Sequence, residues 1–426
     1  MLYAAAFYPG GMGFDVAYQW WQSRGGETTN IHGLGMIALW RVADLFNAGP
    51  GFLFLSQLIV LFAGVLMVAH TMSSRRAKIL MLVAIFISPI CFVELSTLTS
   101  DVMLAAMLCL ALGMIGLVDF TKEQSRGTEW MALLPLFFAL MLRKNALPGV
   151  VPLVVYAVYV AWKAQAGSAS LKWSVLASVP LVGAMLLINW MFELQVDRRV
   201  SVFPATQMWD LAAVSVEANK ILLPPGTYGP GLTIDDLRQA IVPYTNTTLF
   251  EKTHAGMRQP FFGPGDPLNE EIRNAWIEAI LAYPAQYFEH RWRVTQYLFG
   301  TKSSEWPREL VYSADQYHYR DNPSVSGNTT TLHQYLLGLF ERLRPTVLLA
   351  PWPYLLCSLA AIGLAWRRKS SSARAAIAAS ASGLLYALPL PIISPSAELR
   401  YLLWTCLSGI LSLALALNAW GAARRS

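Results

Sequence analysis

Long apolar segments alternate with short polar linkers along most of the chain, and this pattern predicts helices that cross a membrane. The alternating segments of ~10 residues that are typical of a membrane β-barrel are absent, and a helix satisfies its own backbone hydrogen bonds in lipid. Most of the segments are near the ~20 residues that span a hydrocarbon core of ~30 Å. The segments are residues 51–71, 79–97, 102–119, 130–142, 146–162, 173–192, 346–366, 375–393 and 401–420.

The chain also starts on an apolar stretch, residues 1–7, which is too short to cross a bilayer. At ~1.5 Å per residue it reaches only about a third of the way through the hydrocarbon core. We therefore expect that residues upstream of Met1 complete a first helix. With that helix, the pattern predicts an all-α polytopic membrane protein with about ten transmembrane helices.

The composition supports the membrane class and excludes several others. Hydrophobic residues make up 55% and charged residues 14% of 426 residues, and the mean hydropathy is +0.42, values that do not suit a soluble protein. No phosphate-binding glycine motif such as GxxxxGK[ST] is present, so we expect no nucleotide cofactor. The net charge of +6 does not indicate nucleic acid, because membrane topology explains most of the basic residues.

The basic linkers predict which ends of the helices share a side. If Arg75, Arg76 and Lys78 lie in the cytoplasm, every other short basic linker lies there too. These linkers are Lys122 with Arg126, Lys163 with Lys172, Arg367 with Arg368, Lys369 and Arg374, and Arg424 with Arg425 at a cytoplasmic C-terminus. The opposite side then receives residues 10–50, 97–101, 143–145, 193–345 and 394–400.

This topology divides the chain into three parts: an N-terminal transmembrane module (1–192), an outer domain (193–345) and C-terminal transmembrane helices (346–426). The outer domain should be mixed but mainly helical. The sequence predicts that Thr233 is the N-cap of one helix and that a longer helix begins at Asn269, which Pro284 should break. The aromatic stretch from Tyr287 to Phe299 predicts either an interfacial helix or a helix that packs the domain onto the bundle.

The first outer loop (10–50) contains the most distinctive candidate chemistry, an acid followed by aromatic residues. Asp15 could accept or orient the proton of an incoming nucleophile while an anomeric carbon develops positive charge. Helix capping is the structural alternative for Asp15, and a membrane-interface belt is the alternative for the aromatics. Interfacial helices are expected in this loop, with a sugar or acceptor groove lined by Tyr18, Gln19, Trp20, Trp21 and His32.

Two further acids lie near the same predicted face. Asp101 stands at the outer end of an apolar segment, where it could cap a helix, and Glu94 lies just inside the preceding segment. An ionisable group within a membrane span is costly and usually faces a partner or a polar cavity. A divalent metal between Asp15 and Asp101 or Glu94 is a further hypothesis, although spacing in sequence does not establish a metal site.

Cations on this side depart from the charge rule. Arg143 and Lys144 are adjacent, and Arg400 follows Glu398, an acid that could pair with it. A phosphate at the membrane surface suits the guanidinium fork and the lysine point charge, which predicts a donor-phosphate site. Lipid headgroups and snorkelling are the structural alternatives.

The layout of these residues resembles the GT-C superfamily, polytopic glycosyltransferases that include aminoarabinose transferases and protein O-mannosyltransferases. Asp15 in the stretch 8–19 matches the acid that follows the first helix in that family. His32 matches an aromatic-His-Pro step without its proline, and Thr99-Ser100-Asp101 matches a Thr-Lys-Asp step without its lysine. Residues 282–291 look like a periplasmic helix of such proteins.

The resemblance implies transfer of a sugar from a polyprenyl-phosphate-linked donor to a lipid, glycan or protein acceptor at the periplasmic face of a bacterial inner membrane. Asp15 and Asp101 would be the catalytic acids, and Arg143, Lys144 and Arg400 would hold the donor phosphate. A polymerase or ligase of lipid-linked oligosaccharide, a transporter or flippase, and a non-catalytic subunit are the alternatives. No pair of related halves, which favours transporters, is visible in the sequence.

Overall fold

The structure, a computed structural model, describes residues 2–46, 49–121, 128–253, 256–311 and 316–423. Within these ranges the chain forms helices, turns and isolated β-bridges and no β-strand, which confirms the prediction of an all-α protein. Four of the basic residues that orient the predicted topology, Lys122, Arg126, Arg424 and Arg425, lie outside the described residues.

The N-terminal part contains short helices at the loop and long apolar helices after it. Helix α2 begins after the extended Gly13, and α4 is followed by a turn whose Ser74 caps the next helix through Ala77 N. The helices are α1 (Leu2–Phe7), α2 (Phe14–Ser23), α3 (Leu34–Leu45), α4 (Gly49–His70), α5 (Arg75–Ile87), α6 (Pro89–Glu94), α7 (Ser100–Thr121), α8 (Leu133–Leu142), α9 (Leu147–Ala166) and α10 (Leu171–Glu193).

The outer part contains shorter, more polar helices, and its predicted start and stop signals operate. Thr233 and Asp236 form a capping box, Asp266 caps the longer helix three residues before Asn269, and Pro284 starts a new helix after it. The helices are α11 (Pro204–Ala218), α12 (Ile234–Ala240), α13 (Thr247–Lys252), α14 (Pro267–Ala282), α15 (Pro284–Leu298), α16 (Arg308–Val311) and α17 (Thr331–Leu343).

The C-terminal part returns to apolar helices, which are α18 (Trp352–Ala365), α19 (Ser371–Ala387), α20 (Leu390–Ile393) and α21 (Leu403–Ala423). A 3₁₀ turn over Leu399–Leu402 leads directly into α21. The segment Leu399–Gly421 is the most buried of the long apolar helices: 89% of the residues in its most apolar stretch are buried, compared with 11% for Leu171–Glu193. The former is therefore the centre of the bundle and the latter lies at its edge.

Six helical segments of the described chain are long and apolar enough to cross a membrane: Gly49–His70, Ser100–Thr121, Lys144–Ala166, Leu171–Glu193, Ser371–Ile393 and Leu399–Gly421. They support a multi-pass membrane protein, but the predicted number of about ten is not confirmed. Three predicted segments form shorter helices, and proline is one cause. Pro89 separates α5 from α6, and Pro351 delays the start of α18.

Close packing of α4 on α7 depends on glycine. A Cβ atom on Gly64 would lie 2.6 Å from the backbone nitrogen of Leu110, and one on Gly113 would lie 2.8 Å from the carbonyl oxygen of Gly64. Small residues at such positions let two helix backbones approach in a membrane, where burial of apolar surface against lipid gives little driving force. This contact sets the position of α7, which carries Asp101 at its first turn.

The ends of the long helices form two faces. On one, here called the site face, Lys144 pairs with Glu193 at 3.8 Å and Arg143 pairs with Asp101. On the opposite face, Asp119 of α7 contacts Lys163 of α9 at 2.8 Å and Arg374 of α19 at 2.6 Å. The charged linkers of the sequence predict the same grouping of helix ends.

The described part of the chain contains two hydrophobic cores. One lies between Met208 and Val294 within the outer part, and the other joins the membrane helices. Residues from two stretches, 297–311 and 325–343, contribute to the second core: Phe340 of α17 stacks on Phe7 of α1 with ring centroids 6.0 Å apart. The last third of the predicted outer domain therefore packs on the membrane module.

Candidate functional site

Charged residues from separate segments meet at the site face. Asp15 is on α2, Asp101 on α7, Arg143 after α8 and Arg400 before α21. The Nη2 atom of Arg400 lies 2.9 Å from Oδ2 of Asp15, and Nε of Arg143 lies 3.1 Å from Oδ1 of Asp101. The structure thus brings together four residues that the sequence selects one at a time.

Arg400 is the centre of this cluster. Besides Asp15, its guanidinium pairs with Glu398 and lies 3.9 Å from Asp101. Its side chain is 16% exposed, whereas the side chain of Asp101 is 1% exposed and that of Asp15 is 31% exposed. Asp15 is therefore the member of the cluster that is most accessible to a substrate.

Tyr401 contacts both arginines, Arg143 and Arg400, through its ring. The guanidinium carbons of Arg143 and Arg400 each lie 5.3 Å from the centroid of its ring, a cation–π distance. Its hydroxyl contacts Glu398 at 3.3 Å and Ser396 at 3.2 Å. Sequence reasoning missed Tyr401 and Ser396, although Tyr401 directly follows the selected Arg400.

Backbone contacts explain how Asp15 comes to lie above α7. Gly11 donates to the carbonyl of Ser96 and accepts from Leu98, both at 2.9 Å, so the first loop is attached to the turn before α7. Gly10, next to it, has a φ of 97°, and a Cβ there would lie 2.9 Å from Leu98. Glycine at this position is required by both the backbone conformation and the space.

A second close approach places His32. A Cβ atom on Gly33 would lie 2.3 Å from the carbonyl oxygen of Leu142, so the start of α3 rests directly on the end of α8. His32, one residue earlier, has its Nε2 atom 3.7 Å from Oδ1 of Asp15. The structure therefore places His32, a predicted groove residue, beside the carboxylate of Asp15.

The charges around Asp15 and His32 set their protonation. Burial alone would raise the pKa of Asp15, but His32 and Arg400 outweigh it, and the pKa lies below its ordinary value. Burial, together with Arg143, Arg400 and Lys144, lowers the pKa of His32 despite the attraction of Asp15. Arg400, which also donates a hydrogen bond to Asp15, is a permanent positive charge that keeps the Asp15 carboxyl ionised at neutral pH.

The other predicted phosphate ligand, Lys144, points elsewhere. It pairs with Glu193 at the end of α10, and its side chain is 41% exposed. The phosphate candidates are thus split: Arg143 and Arg400 lie beside the catalytic candidates, and Lys144 lies at the edge of the site face.

The predicted groove residues separate into two groups. Tyr18 and Trp21 are half-buried, and the rings of both contact Tyr319. The Tyr18 ring also lies 6.2 Å from that of His32. Gln19 and Trp20 are buried, which corrects their assignment to the same surface. Trp20 stacks on Trp40 at 5.0 Å and lines a separate groove of about 440 Å³.

No metal site accompanies the cluster in the described part of the chain, where no group of three or more His, Cys, Asp or Glu side chains is arranged to hold an ion. The hypothesis of a metal between Asp15, Glu94 and Asp101 therefore gains no geometric support. Glu94 is buried, 4% exposed, and interacts electrostatically with Arg400, Asp101 and Glu398. Arg143 and Arg400 are the cations that lie beside Asp15 and Asp101.

A second buried ionic group lies between the outer part and the turn that carries Arg400. Asp210 of α11 accepts from Arg291 at 2.7 Å and from Trp276 at 2.9 Å, and His290 is 3.2 Å away. Arg291 also donates to the carbonyl of Ser394 at 2.9 Å. The aromatic stretch around Tyr287 therefore packs onto the bundle through this group, as one of the two sequence alternatives predicts.

In comparisons with known proteins, no family model, no curated protein and no solved structure matches the chain. The function must consequently be argued from the residues of the site face and from the membrane architecture that brings them together.

Proposed function

We propose that this protein is a membrane glycosyltransferase of the GT-C type, which moves a sugar from a polyprenyl-phosphate donor to an envelope glycan, lipid or protein acceptor. The observation that carries the proposal is the meeting of Asp15, His32, Asp101, Arg143 and Arg400 at one face of a bundle of apolar helices. In this proposal the site face is periplasmic, the protein lies in a bacterial inner membrane and the C-terminus is cytoplasmic.

The chemistry requires a proton acceptor and charge stabilisation. A hydroxyl oxygen of the acceptor attacks the anomeric carbon, the bond from that carbon to the phosphate oxygen breaks, and the phosphate leaves with the electron pair. Asp15 orients the hydroxyl and takes its proton. Arg143 and Arg400 stabilise the phosphate as its charge develops, a fixed electrostatic contribution that is often the largest in catalysis.

In this mechanism the guanidinium groups of Arg143 and Arg400 bind carboxylates of the protein as well as the donor phosphate. Three carboxylates, those of Asp15, Asp101 and Glu398, surround Arg143 and Arg400, so a donor phosphate competes with them for guanidinium charge. When the phosphate engages Arg400, Asp15 loses part of the charge that lowers its pKa. Its pKa rises towards the ordinary value, and Asp15 becomes a stronger base only when the donor is bound.

The test is transfer of radiolabelled sugar from polyprenyl-phosphate donors to a lipid extract by purified protein in nanodiscs. We expect Asp15→Asn to reduce transfer at least 100-fold, in line with loss of a general base, while its melting temperature stays near that of the wild type. Asp15→Glu should retain part of the activity. Asp235→Asn, a change of an exposed acid in the outer part, is the matched control.

Two other outcomes discriminate the alternatives. A well-folded Asp15→Asn variant with full transfer, together with loss of transfer in Arg143→Gln, would replace the carboxylate mechanism by one centred on the arginines, as in a polymerase or ligase of lipid-linked oligosaccharide. Wild-type protein that transfers no sugar from any donor would contradict the enzyme and leave the transporter and the non-catalytic subunit.

A further inference from the structure

An array of aromatic rings lies beside Asp15, and half of it comes from a loop that the sequence analysis did not assign to the site. Residues 316–322 approach α2 so that Tyr317 and Tyr319 meet Phe14, with ring centroids 5.4 and 5.5 Å apart. Tyr18 lies 6.0 Å from Phe14 and 5.4 Å from Tyr319. We call Phe14, Tyr18, Tyr317 and Tyr319 the aromatic platform.

The loop is fastened to the first outer loop through its backbone and amides. The amide of Tyr317 donates to the carbonyl of Met12 at 2.8 Å, and Gln316 donates to that of Gly10 at 2.8 Å. At its other end, Asn322 donates to the carbonyl of Ala17 at 2.8 Å. Hydrogen bonds at both ends hold the two tyrosines in a fixed position, so the platform is formed before any ligand binds.

The platform is open to a ligand and continuous with the acid. Phe14 is 50% exposed and Tyr317 is 44% exposed, although both are large aromatic side chains. Tyr18 follows Asp15 by three residues on the same side of α2, and its ring lies 6.2 Å from that of His32, whose Nε2 atom is 3.7 Å from the Asp15 carboxylate. A molecule stacked on these rings would therefore have a group within reach of the Asp15 carboxylate.

Arg320 lies at one end of the platform, and its backbone is strained. Its φ is 49°, in the left-handed region that a residue with a long side chain rarely adopts. Its guanidinium lies 4.3 Å from the centroid of Trp21 and 5.4 Å from that of Tyr319. Such strain is commonly found where a side chain is held for a ligand, and Arg320 presents hydrogen-bond donors at the edge of the rings.

Trp21, by contrast, is only partly exposed. Arg320 lies over one side of the ring, and Gly26 is so close that a Cβ there would lie 2.4 Å from the indole. Trp21 therefore supports the platform and holds Arg320, while the exposed rings of Phe14 and Tyr317 are those that a ligand can reach.

We infer that the aromatic platform binds a carbohydrate acceptor, stacking a sugar ring on Phe14 and Tyr317 so that a hydroxyl reaches Asp15. This inference rests on the proposed function, which supplies the sugar donor. The apolar face of a sugar ring matches the flat face of an aromatic side chain, and polar tips such as tyrosine hydroxyls and Arg320 suit its hydroxyl groups.

A lipid surface is the competing occupant, since tyrosines are also common at membrane interfaces. The composition of the loop favours carbohydrate: Gln316-Tyr317-His318-Tyr319-Arg320-Asp321-Asn322 contains no aliphatic side chain. The lipid-exposed surface of this protein looks different. Leu176, Val179 and Leu187 of the peripheral helix α10 are exposed aliphatic residues.

The binding test uses no donor. Cellotetraose, chitotetraose and mannotetraose are titrated at millimolar concentration into full-length protein in nanodiscs, with saturation-transfer difference NMR as the readout. At least one should bind the wild type, and the double variant Tyr317→Ala/Tyr319→Ala should weaken its binding about tenfold through lost ring contacts. Tyr335→Ala, a change of an exposed tyrosine on α17, is the matched control and should bind normally.

Two results would overturn the inference: none of the three tetrasaccharides binds the wild type, or the double variant binds them as the wild type does. A probe on Tyr317→Cys, in a Cys357→Ala background, tests the lipid alternative. We expect quenching by aqueous iodide; quenching by doxyl-labelled lipid instead would assign the platform to the membrane. Sugar binding that depends on Tyr317 and Tyr319 in a protein without transfer activity would contradict the proposed enzyme and leave the platform standing.

Discussion

Asp15 and Arg400 are 385 positions apart in the sequence, and their side chains form an ion pair of 2.9 Å at the site face. The pair connects the first outer loop to the 3₁₀ turn at the start of the most buried helical segment, Leu399–Gly421. Arg400 both anchors the first outer loop and lowers the pKa of Asp15, the proposed base. Substitutions in this pair can therefore change stability as well as catalysis, and matched variants are needed to separate the two effects.

The pair between Asp101 and Arg143 offers such a comparison. Arg143→Met leaves the Asp101 carboxylate, 1% exposed, with only the more distant Arg400, and removal of one partner of a buried pair costs about 3–5 kcal/mol of unfolding free energy. The double variant Asp101→Leu/Arg143→Met should recover most of that loss. Reversible unfolding in mixed detergent micelles gives the free energies.

The control for this cycle is Arg24→Met, which breaks an ion pair of 3.9 Å with Asp44 in which the arginine is 38% exposed. That change should cost less than about 1 kcal/mol. If the double variant at Asp101 and Arg143 is no more stable than Arg143→Met alone, the two residues do not act as a pair.

Stability should fall on mild acidification because of two histidines. Burial holds the pKa of His32 and that of His290 below the ordinary value of about 6.5. As the pH falls below that value, the unfolded chain takes up protons that the folded protein does not. The free energy of unfolding therefore declines until the pH passes the folded pKa values, and no further.

His32→Gln should make the drop in melting temperature between pH 7.5 and pH 5.0 smaller, and His290→Gln should do the same. His70→Gln, a change of an exposed histidine at the end of α4, is the control and should leave the drop as in the wild type. The carboxyl of Asp15 titrates below this window, since its pKa is lowered. Equal pH profiles in all three variants would contradict the assignment.

Arg291 should matter for activity although it lies outside the cluster. Its bonds to Asp210 and to the carbonyl of Ser394 connect α15 to the turn over residues 394–400. Arg291→Gln should cost about 3–5 kcal/mol because Asp210 is fully buried. We also expect a lower kcat and a higher donor KM, since the change displaces Arg400, which engages the donor phosphate in the proposed mechanism.

Arg293→Gln is the matched control on the same helix, where the arginine is 44% exposed and pairs with Glu217 and Glu289 at the surface. Melting and transfer assays on both variants decide the matter. An Arg291→Gln protein that is less stable but has normal kcat would reduce Arg291 to a purely structural residue.

The glycine contact between α4 and α7 should tolerate no side chain. Gly64→Ala places a Cβ atom 2.6 Å from the Leu110 backbone, and overpacking of this kind costs about 1–3 kcal/mol. Gly183→Ala on α10 meets nothing within 4 Å and should be neutral or slightly stabilising, because alanine favours the helix. Equal unfolding free energies for these two variants would show that the helices can separate at no cost.

Much of the architecture follows from the sequence because hydrophobicity and local signals act over short distances. Apolar length predicts membrane helices, and Thr233 and Pro284 predict a start and a stop that the structure contains. The number of spans is less predictable. Proline residues such as Pro89 and Pro351 shorten apolar segments that composition alone makes long enough.

The sequence by itself determined the class of the protein and the residues of interest, since an acid or a cation next to an apolar helix is costly and stands out in composition. Only the tertiary structure decided which of them meet. Arg400 lies beside Asp15, Lys144 turns away to Glu193, and Tyr317 arrives at α2 from 303 residues further along the chain than Phe14. Such pairings depend on how the helices pack and on close approaches such as Gly33 on Leu142, and no local pattern records them.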